Sequence, residues 1–137
     1  MGNTDYILRP VRSAAILTNS YVAGITLGAE TTTTLSQPNE YNQLMLYISF
    51  TKGSLTSAEI KVEFSTDNST YYQETGEKID TATGIATDAV LEHQISATGN
   101  YRLAIPCTDR YIKISAKGTG TTTNSSLKIE AALGMNF

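Results

Sequence analysis

Alternation of apolar and polar residues is the dominant pattern of this chain. In residues 58–64 every second residue is apolar and the residues between are charged. The same period recurs in residues 101–105, 111–117 and 127–133. Because successive side chains of a strand point to opposite faces, each segment predicts a strand with one buried and one solvated face. Strands of this kind are typical of antiparallel sheets.

Residues 44–50 are apolar on both faces at their start, which predicts a central strand or one whose outer face meets a neighbour. Weaker patterns predict strands near residues 13–18, 22–27, 71–74 and 89–95. Turn signals lie at residues 52–54, 66–69, 98–100 and 117–120. We therefore predict an all-β fold, an antiparallel β-sandwich or jelly roll of about eight to nine strands.

The 137 residues fit a single domain, which we place at residues 13–137. Residues 1–12 have a mixed composition and contain Pro10, which predicts an extended N-terminal arm. Residues 75–88 carry two glycines, several threonines, Asp80 and Asp88, and predict a long loop between two strands. The sequence leaves open whether a calcium ion or a glycan binds this loop region.

The composition supports a β-sheet protein and limits the classes of partner that it is expected to bind. Threonine, which packs well on a pleated surface, occurs 21 times. The net charge is −3 and the ten basic residues are scattered, so no nucleic-acid partner is expected. No apolar run reaches the length of about 18 residues that a membrane span requires, and no signal peptide is recognisable at the start.

The chain has few residues from which an active site could be built. His93 and Cys107 are its only histidine and cysteine, too few for a zinc site, and no G-x-S-x-G motif occurs. Cys107 is expected to be half-buried and unreactive, and His93 to point inward, in phase with Leu91 and Ile95. We predict no catalytic residues, no metal and no cofactor: the protein is not expected to be an enzyme.

The segment from Val62 to Tyr72 resembles a hairpin that recurs in virion β-sandwich proteins of tailed phages. A strand ending in Ser65-x-Asp67 precedes a small turn residue, then Thr70 and an aromatic residue. That family usually has glycine after the aspartate, where this chain has Asn68, which also tolerates the left-handed conformation. Residues 110–114 and 126–130 are similar to later strands of the same proteins, so the resemblance covers about residues 57–134. It implies a capsid decoration, head or tail structural role without catalytic residues.

The sequence therefore predicts a non-enzymatic virion structural protein, a capsid decoration or stabilising protein assembled in the host cytoplasm. Its expected partners are further copies of itself, as a homo-oligomer, and other virion proteins such as the major capsid protein. Seven residues in the two chain ends and the 62–72 hairpin are the predicted interface: Tyr6, Ile7, Leu8, Tyr71, Tyr72, Met135 and Phe137. The alternative is a carbohydrate- or receptor-binding β-sandwich module that uses outward tyrosines and the 75–88 loop to bind a glycan.

Overall fold

The computed structural model describes residues 8–28 and 42–134, and within these ranges the chain is all β, as predicted. There are eleven described strands, more than the eight to nine that the sequence predicted. They are β1 (Arg9–Ala15), β2 (Val22–Ala23), β3 (Gln43–Thr51), β4 (Leu55–Ser65), β5 (Tyr72–Gln73), β6 (Thr75–Ile79), β7 (Ala86–Val90), β8 (His93–Ile95), β9 (Gly99–Pro106), β10 (Tyr111–Gly120) and β11 (Ser126–Gly134). No described residue is helical, so none of them belongs to a helix that could cross a membrane.

The strands form two larger antiparallel sheets and one separate hairpin. Sheet A has the order β1-β11-β3-β9, which places β3 between two long neighbours and confirms the predicted central strand. Sheet B has the order β2-β10-β4-β5, and β8 also pairs with β4. Strands β6 and β7 pair only with each other among the described strands.

One hydrophobic core lies between sheets A and B, and the alternation in the sequence identifies the residues that fill it. On β4 and β10 the inward residues include Ile60, Val62 and Ile114, all buried. On β3 the inward set includes Leu46 and Phe50, and β11 contributes its own alternate residues. Since both sheets contribute to one core, the fold is a sandwich.

The segment after β2 closes one side of the sandwich. The amide of Gly24 donates to the carbonyl of Ile114 in sheet B at 2.9 Å, and the amide of Ile25 donates to the carbonyl of Val11 in sheet A at 2.9 Å. Backbone hydrogen bonds thereby link β1 to β10 across the layers. On the other side of sheet A, β9 has one neighbour among the described strands, β3.

The predicted N-terminal arm differs from the structure at residues 9–12, which begin strand β1. This strand lies at the edge of sheet A with irregular register on both sides of Arg12. Pro10 is compatible with such a position, because an edge strand does not need every amide for pairing. Val11 is buried in the core, so the sandwich begins inside the segment predicted to extend away from it.

The predicted turn at residues 117–120 is wrong, because β10 continues through Gly120. Gly118 belongs to the strand and faces the core: a Cβ atom there would lie 2.6 Å from Leu55 Cδ2. The glycine thus makes room for a buried leucine. The turn follows at residues 121–125, where Asn124 has a φ of 61°.

The predicted loop over residues 75–88 is also wrong. Strands β6 and β7 pair in five register positions, from Thr75 opposite Val90 to Ile79 opposite Ala86. The turn between them is closed by the Gly84 amide, which donates to the Asp80 carbonyl at 2.7 Å. The structure therefore has a two-stranded hairpin where the sequence predicted a loop, and residues 75–90 are called the hairpin arm below.

The remaining weak strand predictions are met in part. Residues 22–27 contain the short β2 and an isolated bridge between Leu27 and Ile112. Residues 89–95 are divided between the end of β7 and β8, because Leu91 and Glu92 leave the hairpin arm and re-enter sheet B. Tyr72 and Gln73 alone pair within the predicted 71–74 strand.

Candidate functional site

The outward face of sheet B carries charged side chains in facing pairs. Strands β4 and β10 are in register over nine positions, from Tyr111 to Thr119, and this register places Glu59 opposite Lys117 and Glu63 opposite Lys113. Thr119 lies opposite Ser57 at the end of the same face. Opposite charges in directly facing positions stabilise a strand pair by about 0.2–1 kcal/mol. The solvated faces that the sequence predicted for β4 and β10 therefore form one continuous polar surface.

Tyr21, in the loop before β2, joins this surface from a distant part of the chain. Lys61 Nζ lies 4.6 Å from the centre of its ring and Lys117 Nζ lies 4.9 Å from it, which are cation–π distances. The Tyr21 hydroxyl also donates a hydrogen bond to the carboxylate of Glu92. Burial and this acidic partner raise the pKa of Tyr21 above its ordinary value, so the phenol stays protonated at neutral pH.

Glu59 is a charged residue that is only 7% exposed. Its carboxylate accepts hydrogen bonds from Ser57 Oγ at 2.5 Å, from Thr119 Oγ1 at 2.5 Å and from Gln94 Nε2 at 3.3 Å. Burial by itself would raise the pKa of Glu59, but these donors, together with nearby Lys117, outweigh it and lower the pKa. The group is thus a fully satisfied, ionised carboxylate.

An open cleft of about 400 Å³ lies beside this carboxylate. Five polar side chains line it: Glu59, Glu92, Gln94, Lys117 and Thr119. Together with Tyr21 and Lys61 they form what we call the polar cleft. It combines hydrogen-bond donors and acceptors, two carboxylates and two ammonium groups around one aromatic ring. No sequence motif marks it, since its residues come from four separate segments of the chain.

The network around Glu59 makes stability sensitive to acid. A carboxylate whose folded-state pKa is lowered stabilises the fold above its unfolded pKa, near 4.5, and this contribution is lost as the pH falls through the folded value. We expect Glu59→Gln to lower the free energy of unfolding at pH 7 by about 1–2 kcal/mol. The difference from the wild type should shrink at pH 3, measured by denaturant unfolding at both pH values.

Glu63→Gln is the matched control for this prediction. Glu63 lies on the same strand face but is 3.8 Å from Lys61, at the outer limit of an ion pair. Its substitution should change stability by no more than about 0.5 kcal/mol at pH 7. An equal and pH-independent loss in both variants would contradict the role assigned to the Glu59 network.

The hairpin arm is the second unusual surface. It forms its own two-stranded sheet, and three large apolar side chains on it are more than half exposed: Ile79, Ile85 and Val90. Its base is fastened to sheet B, since the Glu74 amide donates to the Val62 carbonyl at 2.9 Å and the Leu91 amide to the Glu74 carbonyl at 2.8 Å. The arm therefore presents apolar side chains to solvent from an anchored base.

Of the seven residues predicted to form an interface, the structure describes three, and these three lie in different environments. Tyr6, Ile7, Met135 and Phe137 lie outside the described residues. Leu8 precedes β1 and is about half exposed. Tyr71 is half-buried, with Lys113 Nζ 4.1 Å from its ring centre, and its hydroxyl donates to Asn68. Tyr72 shares the face of Phe64 and is 64% exposed, so the two adjacent tyrosines point to opposite faces as predicted.

The single histidine, His93, lies at the base of the hairpin arm, and the single cysteine, Cys107, lies in the hydrophobic core. His93 lies opposite Ile60 on the inward side of β8, and its Nε2 is 2.8 Å from Glu74 Oε1 at the base of the hairpin arm. Cys107 is buried rather than half-buried. Burial raises the pKa of its thiol to about 12, which leaves almost no thiolate at neutral pH.

The structure gives no support for a calcium site at the hairpin arm. Asp80 accepts a hydrogen bond from the Ala82 amide at 2.8 Å within the turn, and Asp88 lies opposite Glu77 in the strand pair. Within residues 8–28 and 42–134, no three histidine, cysteine, aspartate or glutamate side chains are grouped in a way that could hold a metal ion.

No protein-family model and no curated protein sequence matches this chain. The resemblance to tailed-phage virion proteins therefore remains a prediction that depends on residues 57–134 of the sequence itself.

Proposed function

We propose that this protein is a non-enzymatic virion structural protein that decorates or stabilises a capsid through contacts with neighbouring subunits. The observation that carries the proposal is the hairpin arm, which holds Ile79, Ile85 and Val90 exposed outside the two packed sheets. Isolated two-stranded hairpins are only marginally stable in water. An arm of this kind with exposed apolar side chains gains most when another subunit covers it.

The occupant that we assign to the hairpin arm is a second copy of this chain. The same chain offers a receiving surface: on the side where β9 has one described neighbour, a cleft of about 360 Å³ lies between β8 and β9. The cleft is lined by Ile48, Ile95 and Leu103 and by five polar or aromatic residues: Glu92, His93, Gln94, Tyr101 and Arg102. An arm with exposed apolar side chains and a different receiving surface on one chain make a heterologous contact, which builds rings or extended arrays. Contacts with the major capsid protein would then fix such an array on the particle.

Removing the apolar side chains of the arm tests this assembly role. We expect Ile79→Ser combined with Ile85→Ser to weaken self-association by at least roughly tenfold, because burying one isoleucine stabilises a contact by about 1.5–3 kcal/mol. The measurement is sedimentation over a range of protein concentrations, with denaturant unfolding to check that the fold is intact.

Ile16→Ser is the matched control, since Ile16 is 56% exposed but lies between β1 and β2. It should leave self-association unchanged. A wild-type protein that is monomeric at millimolar concentration, and that binds capsids equally well with and without the two arm substitutions, would contradict the proposal.

The alternative prediction, a carbohydrate- or receptor-binding module, is favoured by a different surface. The structure does not provide the 75–88 loop on which that prediction depended. The polar cleft on sheet B has instead the hydrogen-bonding groups and the aromatic ring that such a module needs.

A further inference from the structure

We infer that the polar cleft on the outward face of sheet B binds a neutral oligosaccharide. This gives a site and a ligand class to the second candidate function, and it does not depend on the assembly role of the hairpin arm. Four features carry it: pre-positioned polar groups, charges of both signs, an aromatic ring at the edge and an open shape.

The polar groups of the cleft are held in place before any ligand arrives. Glu59 is fixed by three side-chain donors, and the Gln94 amide, which is exposed to solvent, donates to Ser57 Oγ at 3.2 Å and to Glu59 at 3.3 Å. These two bonds use both amide hydrogens of Gln94, so its amide oxygen remains as an acceptor for a ligand. Preorganised groups lower the entropic cost of binding, which matters most for weakly held ligands such as sugars.

The charges around the cleft are of both signs. Glu59 and Glu92 contribute two negative charges, and Lys61 and Lys117 contribute two positive charges, with Glu63 3.8 Å from Lys61 at the margin. A phosphate or a sulfate would meet two carboxylates, and a cation would meet two ammonium groups. A ligand with many hydroxyl groups fits better, because each hydroxyl both donates and accepts and can use the mixed set of carboxylate, amide and ammonium groups.

Tyr21 supplies the apolar contact that sugar recognition also needs. Its hydroxyl is held by Glu92 while its ring lies against Lys61 and Lys117. An aromatic ring with one polar end suits a sugar, which presents C–H groups on one face and hydroxyls at its edge. The two lysine side chains are flexible and can swing aside to uncover the ring when a ligand binds.

The shape of the cleft favours a chain of sugar units. It opens to solvent along the sheet, and Glu92 and Gln94 at its side are exposed. A cleft of about 400 Å³ has room for part of an oligosaccharide, with further units continuing over the sheet surface.

Binding to an array of neutral oligosaccharides, followed by calorimetry with the strongest binder, tests this inference. We expect Gln94→Ala and Tyr21→Ala each to weaken that binding by roughly tenfold or more. Tyr21→Phe keeps the ring and loses only the bond to Glu92, so it should have a smaller effect. If Tyr21→Ala is unstable, the sugar affinity of Tyr21→Phe is measured in its place.

Tyr72→Ala is the matched control, because this exposed tyrosine pairs with Phe64 at the other end of β4 and should not affect binding. Three results would overturn the inference: no neutral oligosaccharide binds at millimolar concentration, only acidic glycans bind, or Gln94→Ala and Tyr21→Phe bind as well as the wild type. Gln94 lines both the polar cleft and the cleft between β8 and β9, whereas Tyr21 does not line the latter. Sedimentation of Tyr21→Ala, or of Tyr21→Phe if the alanine variant is unstable, should therefore match the wild type, which separates loss of sugar binding from loss of assembly.

Discussion

Replacement of Leu46 by alanine is expected to lower the free energy of unfolding by about 2–5 kcal/mol. Leu46 is fully buried at the middle of β3, where the register places Ala131 on one side and Leu103 on the other. Its small neighbour Ala131 cannot fill the space that the substitution leaves. The loss therefore includes both the transfer of apolar groups and a cavity between the two sheets.

The midpoint of denaturant unfolding, with an unchanged slope, measures this loss. Ile85→Ala provides the comparison, because Ile85 is 61% exposed at the turn of the hairpin arm and its truncation should change stability by at most about 0.5 kcal/mol. Similar losses for Leu46→Ala and Ile85→Ala would mean that the core does not lie between sheets A and B.

Gly53→Ala is the second substitution with a large expected effect. Gly53 has a φ of 56°, and a Cβ atom there would lie 2.5 Å from the Asn124 carbonyl and 2.6 Å from the Thr123 oxygen. These are backbone atoms of the β10–β11 turn, to which the neighbouring Ser54 amide is hydrogen-bonded at 3.0 Å. Two turns must therefore move apart, and we expect a loss of about 2–5 kcal/mol from the left-handed conformation and the overpacking together.

Gly84→Ala separates these two costs. Gly84 has a similar φ of 73°, but no atom lies within 4 Å of the position that its Cβ would take. Only the conformational cost, about 1–2 kcal/mol, should remain. Thermal or denaturant unfolding of both variants gives the difference. Equal losses would show that the close approach of the two turns at Gly53 does not contribute to stability.

The alternating segments of the sequence identified most of the core. Residues 58–64, 111–117 and 127–133 are all strands, and their apolar positions, such as Ile60, Ile114 and Ile129, are buried. This works because the two-residue period is a local property: once a segment is extended, its odd and even side chains must separate. The central position of β3 was predictable for the same reason, since its inward and outward residues are both apolar at its start.

Glycines and short polar segments were misread where their role depends on distant residues. Gly118 looks like a turn residue in sequence, but the side chain of Leu55 on the neighbouring strand requires a glycine inside β10. Residues 75–88 look like a loop because each strand of the hairpin arm is short and polar, and only their pairing makes them strands. Pairing between segments is not encoded in the period of either one.

The candidate site was predictable only in its parts. The charged positions of β4 and β10 were identified as a solvated face, yet the facing of Glu59 and Lys117 follows from the register between the strands. The convergence of Tyr21, Glu92 and Gln94 on that face had no signal in sequence, because 71 residues separate Tyr21 from Glu92. The tyrosines chosen from sequence, Tyr71 and Tyr72, lie elsewhere on the sheet.

By itself, the sequence determined that this protein is an all-β sandwich whose outer sheet faces are solvated. It also determined that one histidine and one cysteine are available for an active site or a metal site. Strand period and residue counts are enough for those statements. Only the tertiary structure decided that residues 75–90 form an anchored arm with three exposed apolar side chains, and that Tyr21 completes a polar cleft on sheet B. The physical reason is that burial follows from local alternation, whereas surfaces are made by segments that meet through long-range register.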